Sequence, residues 1–182
     1  MRFIVYSIMF MLLFYSCTPI QRVTITELGA SGREAGGELF VIKANGEKSI
    51  ATTIKRQSTV NGRIIVDGRR MDVPDFVAFQ NHEGYFVWRS TSQSNKRSGY
   101  FSLRLSKGKI NLYLGGPEDT YLIEKEKGKF QFVDYESLSS AISDNSQALE
   151  LLHKLYPKRK IKILPAGGNR NDITRIVEKY NQ

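Results

Sequence analysis

The sequence predicts an α+β fold: an antiparallel β-meander, sandwich or partly open barrel, covered by two or three C-terminal α-helices. Three observations carry this reading. Turn signals recur about every eight to twelve residues between Glu38 and Val133, the spacing of antiparallel sheets. The stretches between them are rich in β-branched and aromatic residues and alternate in polarity. From Asp134 onward the apolar period lengthens to that of helices, and strands followed by helices argue for α+β over α/β.

In chain order, Gln21 to Leu28 alternates and is a first strand candidate. Gly29 to Gly37 holds four glycines and reads as a flexible tether. Glu38 to Lys43 is a strand closed by Asn45-Gly46, the strongest short hairpin signal. Ser49 to Lys55 reads as its partner, and Asn61-Gly62 as a turn before a short strand over Arg63 to Asp67. Asp67-Gly68 is a further turn, and Pro74 breaks the chain because it cannot donate to a ladder. Strands follow over Phe76 to Gln80 and Tyr85 to Thr91, joined by Asn81 to Gly84. Tyr100 to Leu105 and Ile110 to Leu114 form a hairpin around Ser106 to Lys109, and Thr120 to Glu126 with Phe130 to Val133 a last one. Asp134 caps a helix carrying Leu138, Ala141 and Ile142; Ser146 caps a second, ended by Pro157. Asn171 or Asp172 starts a third, with Ile173, Ile176, Val177 and Tyr180 on one stripe that must pack on the sheet.

The N-terminus carries an address. Arg2 is followed by an almost continuous apolar run from Phe3 to Tyr15. That run is too short for a helix crossing a ~30 Å hydrocarbon core, which needs ~20 residues, and it has the layout of a secretory signal. Ser16-Cys17 then resembles the end of the bacterial lipoprotein lipobox, although Phe14 and Tyr15 fit only its looser versions. The alternatives are an uncleaved membrane anchor and a buried apolar strand. The resemblance implies cleavage before Cys17 and a diacylglyceryl thioether plus an amide-linked chain on it. Cys17 is the only cysteine, so an internal disulfide is excluded, and lipidation disposes of a lone thiol in an oxidising compartment. The segments expected are therefore 1–16 signal, 17–37 lipidated cysteine and tether, 38–133 β-domain and 134–182 helices. Thr18 to Arg22 lacks acidic residues, which by analogy with lipoproteins points to a periplasm-facing domain at the outer membrane.

The order of motifs also resembles a group of Bacteroidota envelope proteins of unknown function. The matching residues are Asn45-Gly46, Pro74-Asp75-Phe76, the run from Gly108 to Tyr113 and the run from Asp172 to Asn181. The resemblance covers 38–181 and implies an envelope location and a β-domain with a helical tail. It carries over no site residues.

Chemistry is sparse. His82 and His153 are the only histidines and read as surface residues, so neither a metal nor another cofactor is expected. No Gly-X-Ser-X-Gly elbow or phosphate loop occurs, and Gly167-Gly168 reads as the entry to the last helix. Asp67, Asp72 and Asp75 read as turn formers, not as a glycosidase pair. The expectation is therefore a protein that is not an enzyme.

The formal charge is +9, which favours acidic partners. The envelope address argues against nucleic acid and leaves anionic lipid, lipopolysaccharide or peptidoglycan. Tyr85 to Pro117 contains no acidic residue, while Arg89, Arg104, Lys107 and Lys109 are interleaved with Tyr100 and Tyr113. Counting by twos puts Phe101, Leu103 and Leu105 with Ile110, Leu112 and Leu114 on one face. Tyr100, Arg104 and Tyr113 then form an outward face of rings and cations, able to hold a phosphate, sugar or carboxylate. The alternative is a solvated face whose cations discourage edge pairing. A second basic group, Lys154, Lys158, Arg159, Lys160 and Lys162, suits anionic head groups or plain solvation. The function expected is a lipid-anchored binding or scaffold module, an accessory subunit of an envelope complex. The alternative is a binder of an anionic envelope ligand, and after it a hydrolase with a spatially assembled site.

Overall fold

The computed structural model describes residues 32–58, 60, 62–92, 94–116, 120–161 and 170–182. The leader, Cys17, the strand expected over Gln21 to Leu28, Lys162 and Gly167-Gly168 lie outside the described residues.

Among the described residues the chain forms β1 (Phe40–Lys43), β2 (Lys48–Ile50), β3 (Ile54–Arg56), β4 (Arg63–Val66), β5 (Arg69–Asp72), β6 (Phe76–Gln80), β7 (Tyr85–Ser90), β8 (Gly99–Ser106), β9 (Asn111–Gly115), β10 (Thr120–Glu126) and β11 (Lys129–Phe132). The helices are α1 (Tyr135–Ala141), α2 (Ser146–Leu155) and α3 (Arg170–Asn181). The large sheet has the order β11-β10-β9-β8-β7-β6-β1-β2, so β6 to β11 is an uninterrupted meander. Its pairings are antiparallel. The order begins with β11 and ends with β2, so the sheet does not close on itself. The α+β class and the antiparallel meander with C-terminal helices are thus present.

The opening departs from the sequence expectation. Ser49 to Lys55 is not one strand: β2 belongs to the large sheet, and β3 to a separate three-stranded sheet β3-β4-β5. Asp67 causes the split. Its Oδ1 accepts from the amides of Thr52 (2.9 Å) and Thr53 (2.7 Å), drawing the chain away from β1. Asp67 and Gly68 both have positive φ (48° and 79°), the conformation of a tight hairpin turn, and this adds β5. Asp72 is accordingly a strand residue: its carboxylate takes Arg63 (2.9 Å) and Arg70 (2.7 Å) instead of forming a turn.

The helices start where local chemistry can satisfy their free amides. Asp134 and Ser137 form a reciprocal capping box at α1, with bonds of 2.7 and 2.9 Å. At α2 the cap is Asn145, not Ser146, because the Asn145 side chain reaches the Ala148 amide at 3.0 Å.

One face of the large sheet carries Phe79, Phe86, Phe101, Leu103, Leu112 and Ile123. It packs in a single core with Ile54, Ile64 and Val73 around the small sheet and with Leu138, Leu152, Ile173, Ile176 and Val177 of the helices. The opposite face lacks such an apolar layer among the described residues, although Gly32 and Glu34 are bonded to it at Arg104 and Gln80. Ile42 on β1 and Phe130 on β11 line the same cavity on that side. In a flat sheet strands six places apart would stand about 29 Å apart, so the sheet curls into a trough with this second face inside.

Candidate functional site

The trough is the candidate site. Its cavity is about 610 Å³, a size usual for small-ligand sites. The wall is apolar in part, from Ile42, Ala78, Val87 and Phe130. Arg104, Tyr85, Tyr113, Asn111 and Glu124 supply polar groups, and Lys43, Lys109, Lys125 and Lys127 complete the cationic lining.

Strand parity places the interior groups. Arg104 pairs with Tyr113 across β8 and β9, and Arg89 with Tyr100 across β7 and β8. Tyr113 lies opposite Leu122, and Glu124 opposite both Asn111 and Phe130. All of these therefore share the trough face. The split between Phe101/Leu103/Leu105 and Tyr100/Arg104/Tyr113 is the one that alternation predicts. The second set does not form an outward face, however. Curling turns it inside, and Arg104 and Tyr113 are only 5% and 3% exposed.

Arg104 stacks over the Tyr85 ring at 3.9 Å. Its Nε donates to the carbonyl of Gly32 (2.6 Å) and its Nη2 to Glu34 Oε1 (2.7 Å). Lys107 donates to the other Glu34 oxygen at 2.5 Å. Burial disfavours the charged Glu34 carboxylate, but these donors outweigh it and hold its pKa below the ordinary value. Arg89 lies over the Phe130 ring and 5.0 Å from the centroid of Tyr113. Its Nε and Nη2 are shut off from solvent without a hydrogen-bond partner among the described residues. Burial lowers its pKa to about 10.

Among the described residues Glu124 is the one acidic residue in the cavity lining, and its oxygens are already engaged. They accept from the Tyr113 hydroxyl (2.7 Å), the Asn111 amide (3.1 Å) and the Gly128 backbone (2.7 Å). Burial pushes its pKa up, but those bonds win and the carboxyl sits below the ordinary value. Burial and the same Glu124 contact raise the Tyr113 phenol far above its usual range, so it stays a neutral donor.

The remaining candidates fall outside this cluster. Tyr100 packs on Gly116 at the other end of β8 and is half-buried. Lys107 is exposed and turned toward Glu34. Lys109 is exposed on the cavity rim, 5.9 Å from the Tyr180 ring. The second basic group is solvated where described: Lys154, Lys158, Arg159 and Lys160 are all exposed.

Three groups that shape the site were not singled out from sequence: Glu34, Gln80 and Glu124. Glu124 was detectable by alternation, since it falls on the opposite parity to Tyr121 and Ile123. Glu34 had no signal, because it lies in a glycine-rich segment and meets Arg104 across seventy positions of sequence. That segment is not a free tether over its described part: Gly32 and Glu34 are bonded to β8, and the Glu34 amide donates to Gln80 Oε1 at 2.7 Å. Compared with protein-family models, curated proteins and solved structures, the chain matches none.

Proposed function

We propose that this protein is a non-catalytic binding module of the cell envelope, held to a membrane by lipid on Cys17, whose trough takes an anionic ligand. The observation that carries the reading is the charge of the cavity wall. Five cations, Lys43, Arg104, Lys109, Lys125 and Lys127, line it with the Glu124 carboxylate, which three internal donors already occupy. Lys43, Arg104 and Lys125 are paired with Glu47, Glu34 and Asp144, and Lys109 and Lys127 are in no ion pair among the described residues. Such a wall attracts phosphate or carboxylate and repels cations. The apolar part of the lining suits the sugar or acyl portion of an envelope glycan or lipid.

The accessory-subunit reading has less support. The apolar stripe of α3 is spent inside the core, where Ile173, Ile176 and Val177 are 0% exposed. For a protein partner the described residues offer the two edges of the large sheet, β11 with its 65%-exposed Phe132 and β2 with its 60%-exposed Ile50.

Titration of the purified chain with lipopolysaccharide and with peptidoglycan fragments tests the proposal. The double substitution Lys109→Gln/Lys127→Gln removes two exposed rim charges with little risk to folding. It is expected to weaken binding of one of these ligands severalfold and to flatten its salt dependence. Binding unaffected by that double variant and by Arg104→Ala would remove the trough as the site.

A further inference from the structure

The Arg104 guanidinium is buried inside the ligand trough, yet the carboxylate that neutralises it comes from the chain's own N-terminal strap. Glu34 bridges Arg104 Nη2 (2.7 Å) and Lys107 Nζ (2.5 Å), as an incoming carboxylate or phosphate oxygen would. The strap is seated with some precision. The Gly32 carbonyl takes Arg104 Nε, and a Cβ on Gly32 would collide with the Arg104 carbonyl, so only glycine fits there. Gln80, 1% exposed, holds the strap from the sheet: its Oε1 accepts from the Glu34 amide and its Nε2 donates to the Glu38 carbonyl at 2.9 Å.

Resting on the anionic-ligand reading above, we infer that Arg104 on the trough lining, with the exposed Lys107 beside it outside the cavity, forms an anion subsite at the trough's end and that Glu34 is its built-in competitor. A ligand bearing a phosphate or carboxylate binds by exchanging with the Glu34 carboxylate, and the strap from Gly32 to Glu38 lifts from β8. A tethered carboxylate competes at an effective concentration in the millimolar range, so a bare anion displaces it poorly. A ligand that also fills the apolar wall gains enough affinity to do so. Because the binding-competent state is the one with the strap lifted, apparent affinity scales with that state's population. By linkage, anything that loosens the strap strengthens ligand binding.

The experiment uses the purified chain and dodecyl phosphate, kept below its micelle concentration, with inorganic phosphate as the headgroup-only control. Calorimetry reads affinity, and hydrogen exchange reads the Glu34 amide. The expected result is that dodecyl phosphate binds, accelerates exchange at Glu34 at least tenfold, and binds Glu34→Gln about tenfold tighter than the natural chain. Gln80→Leu, which frees the strap without altering charge, should tighten binding in the same direction. Binding with strap exchange unchanged or slowed, and with no gain in either variant, overturns the exchange model while leaving the trough as a ligand site. No binding of dodecyl phosphate to any of the three proteins overturns both.

Discussion

The side-chain amide of Asn181 bonds both main-chain polar groups of Ile110. Its Oδ1 accepts from the Ile110 amide and its Nδ2 donates to the Ile110 carbonyl, each at 2.9 Å. The same Nδ2 reaches Ser106 Oγ at 3.2 Å. The end of α3 is thereby bonded to the β8–β9 connection, seventy-one positions earlier in the chain. Asn181 also occupies the space next to Gly108, where a Cβ would strike its side chain. The run from Gly108 to Tyr113 and the run from Asp172 to Asn181 are thus in direct contact.

Asn181→Ala removes these bonds and leaves the Ile110 main-chain groups to find solvent. The expected cost is about 2 kcal/mol, read as a lower urea midpoint with an unchanged slope. A midpoint equal to that of the natural chain would mean that α3 is held by its apolar stripe alone.

Phe79 is the centre of the aromatic core. It stacks on Phe86 at 5.0 Å and meets Phe101 edge-on at 5.2 Å, with 0% exposure. Phe79→Ala should cost about 3–5 kcal/mol. Val77→Ala on the same strand, at a position 42% exposed, should cost a small fraction of that in the same denaturation series.

Arg89 offers an opposite case. Its buried Nε and Nη2 lack hydrogen-bond partners among the described residues, so its charge is poorly compensated. Arg89→Met, similar in length and apolar against Tyr113 and Phe130, is expected to leave the melting temperature unchanged or raise it. It should weaken anion binding by ~1 kcal/mol, roughly fivefold, since one positive charge leaves the trough. A clear loss of stability would show that the stacked cation holds β7 against β11.

Acid should unfold the chain through its engaged carboxylates. Glu34 and Glu124 both titrate below their ordinary value of 4.5 when folded. Their contribution is fully present above that value and is lost as pH falls through the lower folded one. The Glu124→Gln chain should lose about 1–3 kcal/mol at neutral pH, because one of its donors then faces an NH2 group. It should also show a shallower decline in stability below pH 4.5 than the natural chain. Parallel pH curves for the two proteins would count against Glu124 as a contributor.

For the address, Cys17→Ala should abolish incorporation of labelled palmitate and shift the protein from membrane to soluble fractions, or leave it unprocessed. Membrane association that persists without label would make Phe3 to Tyr15 an uncleaved anchor.

The local elements were legible in the sequence because their causes are local. Asp134 and Ser137 cap one another three residues apart, and Phe101/Leu103/Leu105 against Tyr100/Arg104 follows from the pleat alone. The antiparallel class followed from turns such as Asn45-Gly46 and Asp67-Gly68, whose glycines take positive φ. What the polar face of β8 looks onto was not legible. Alternation assigns a residue to a side of the sheet, but whether that side meets water or itself depends on how the whole sheet curls. That is set by the arrangement of strands far apart in sequence, such as β1 and β11, which line the same cavity. The partner of Arg104 was equally beyond reach, since no periodicity links a glycine-rich segment to a strand seventy positions later. The sequence alone determined the fold class, the Asp134 cap of α1 and the parity of the basic-aromatic face. Only the tertiary structure decided that this face is an interior one and that Glu34 sits on its buried arginine, because both depend on closing long loops rather than on neighbouring residues.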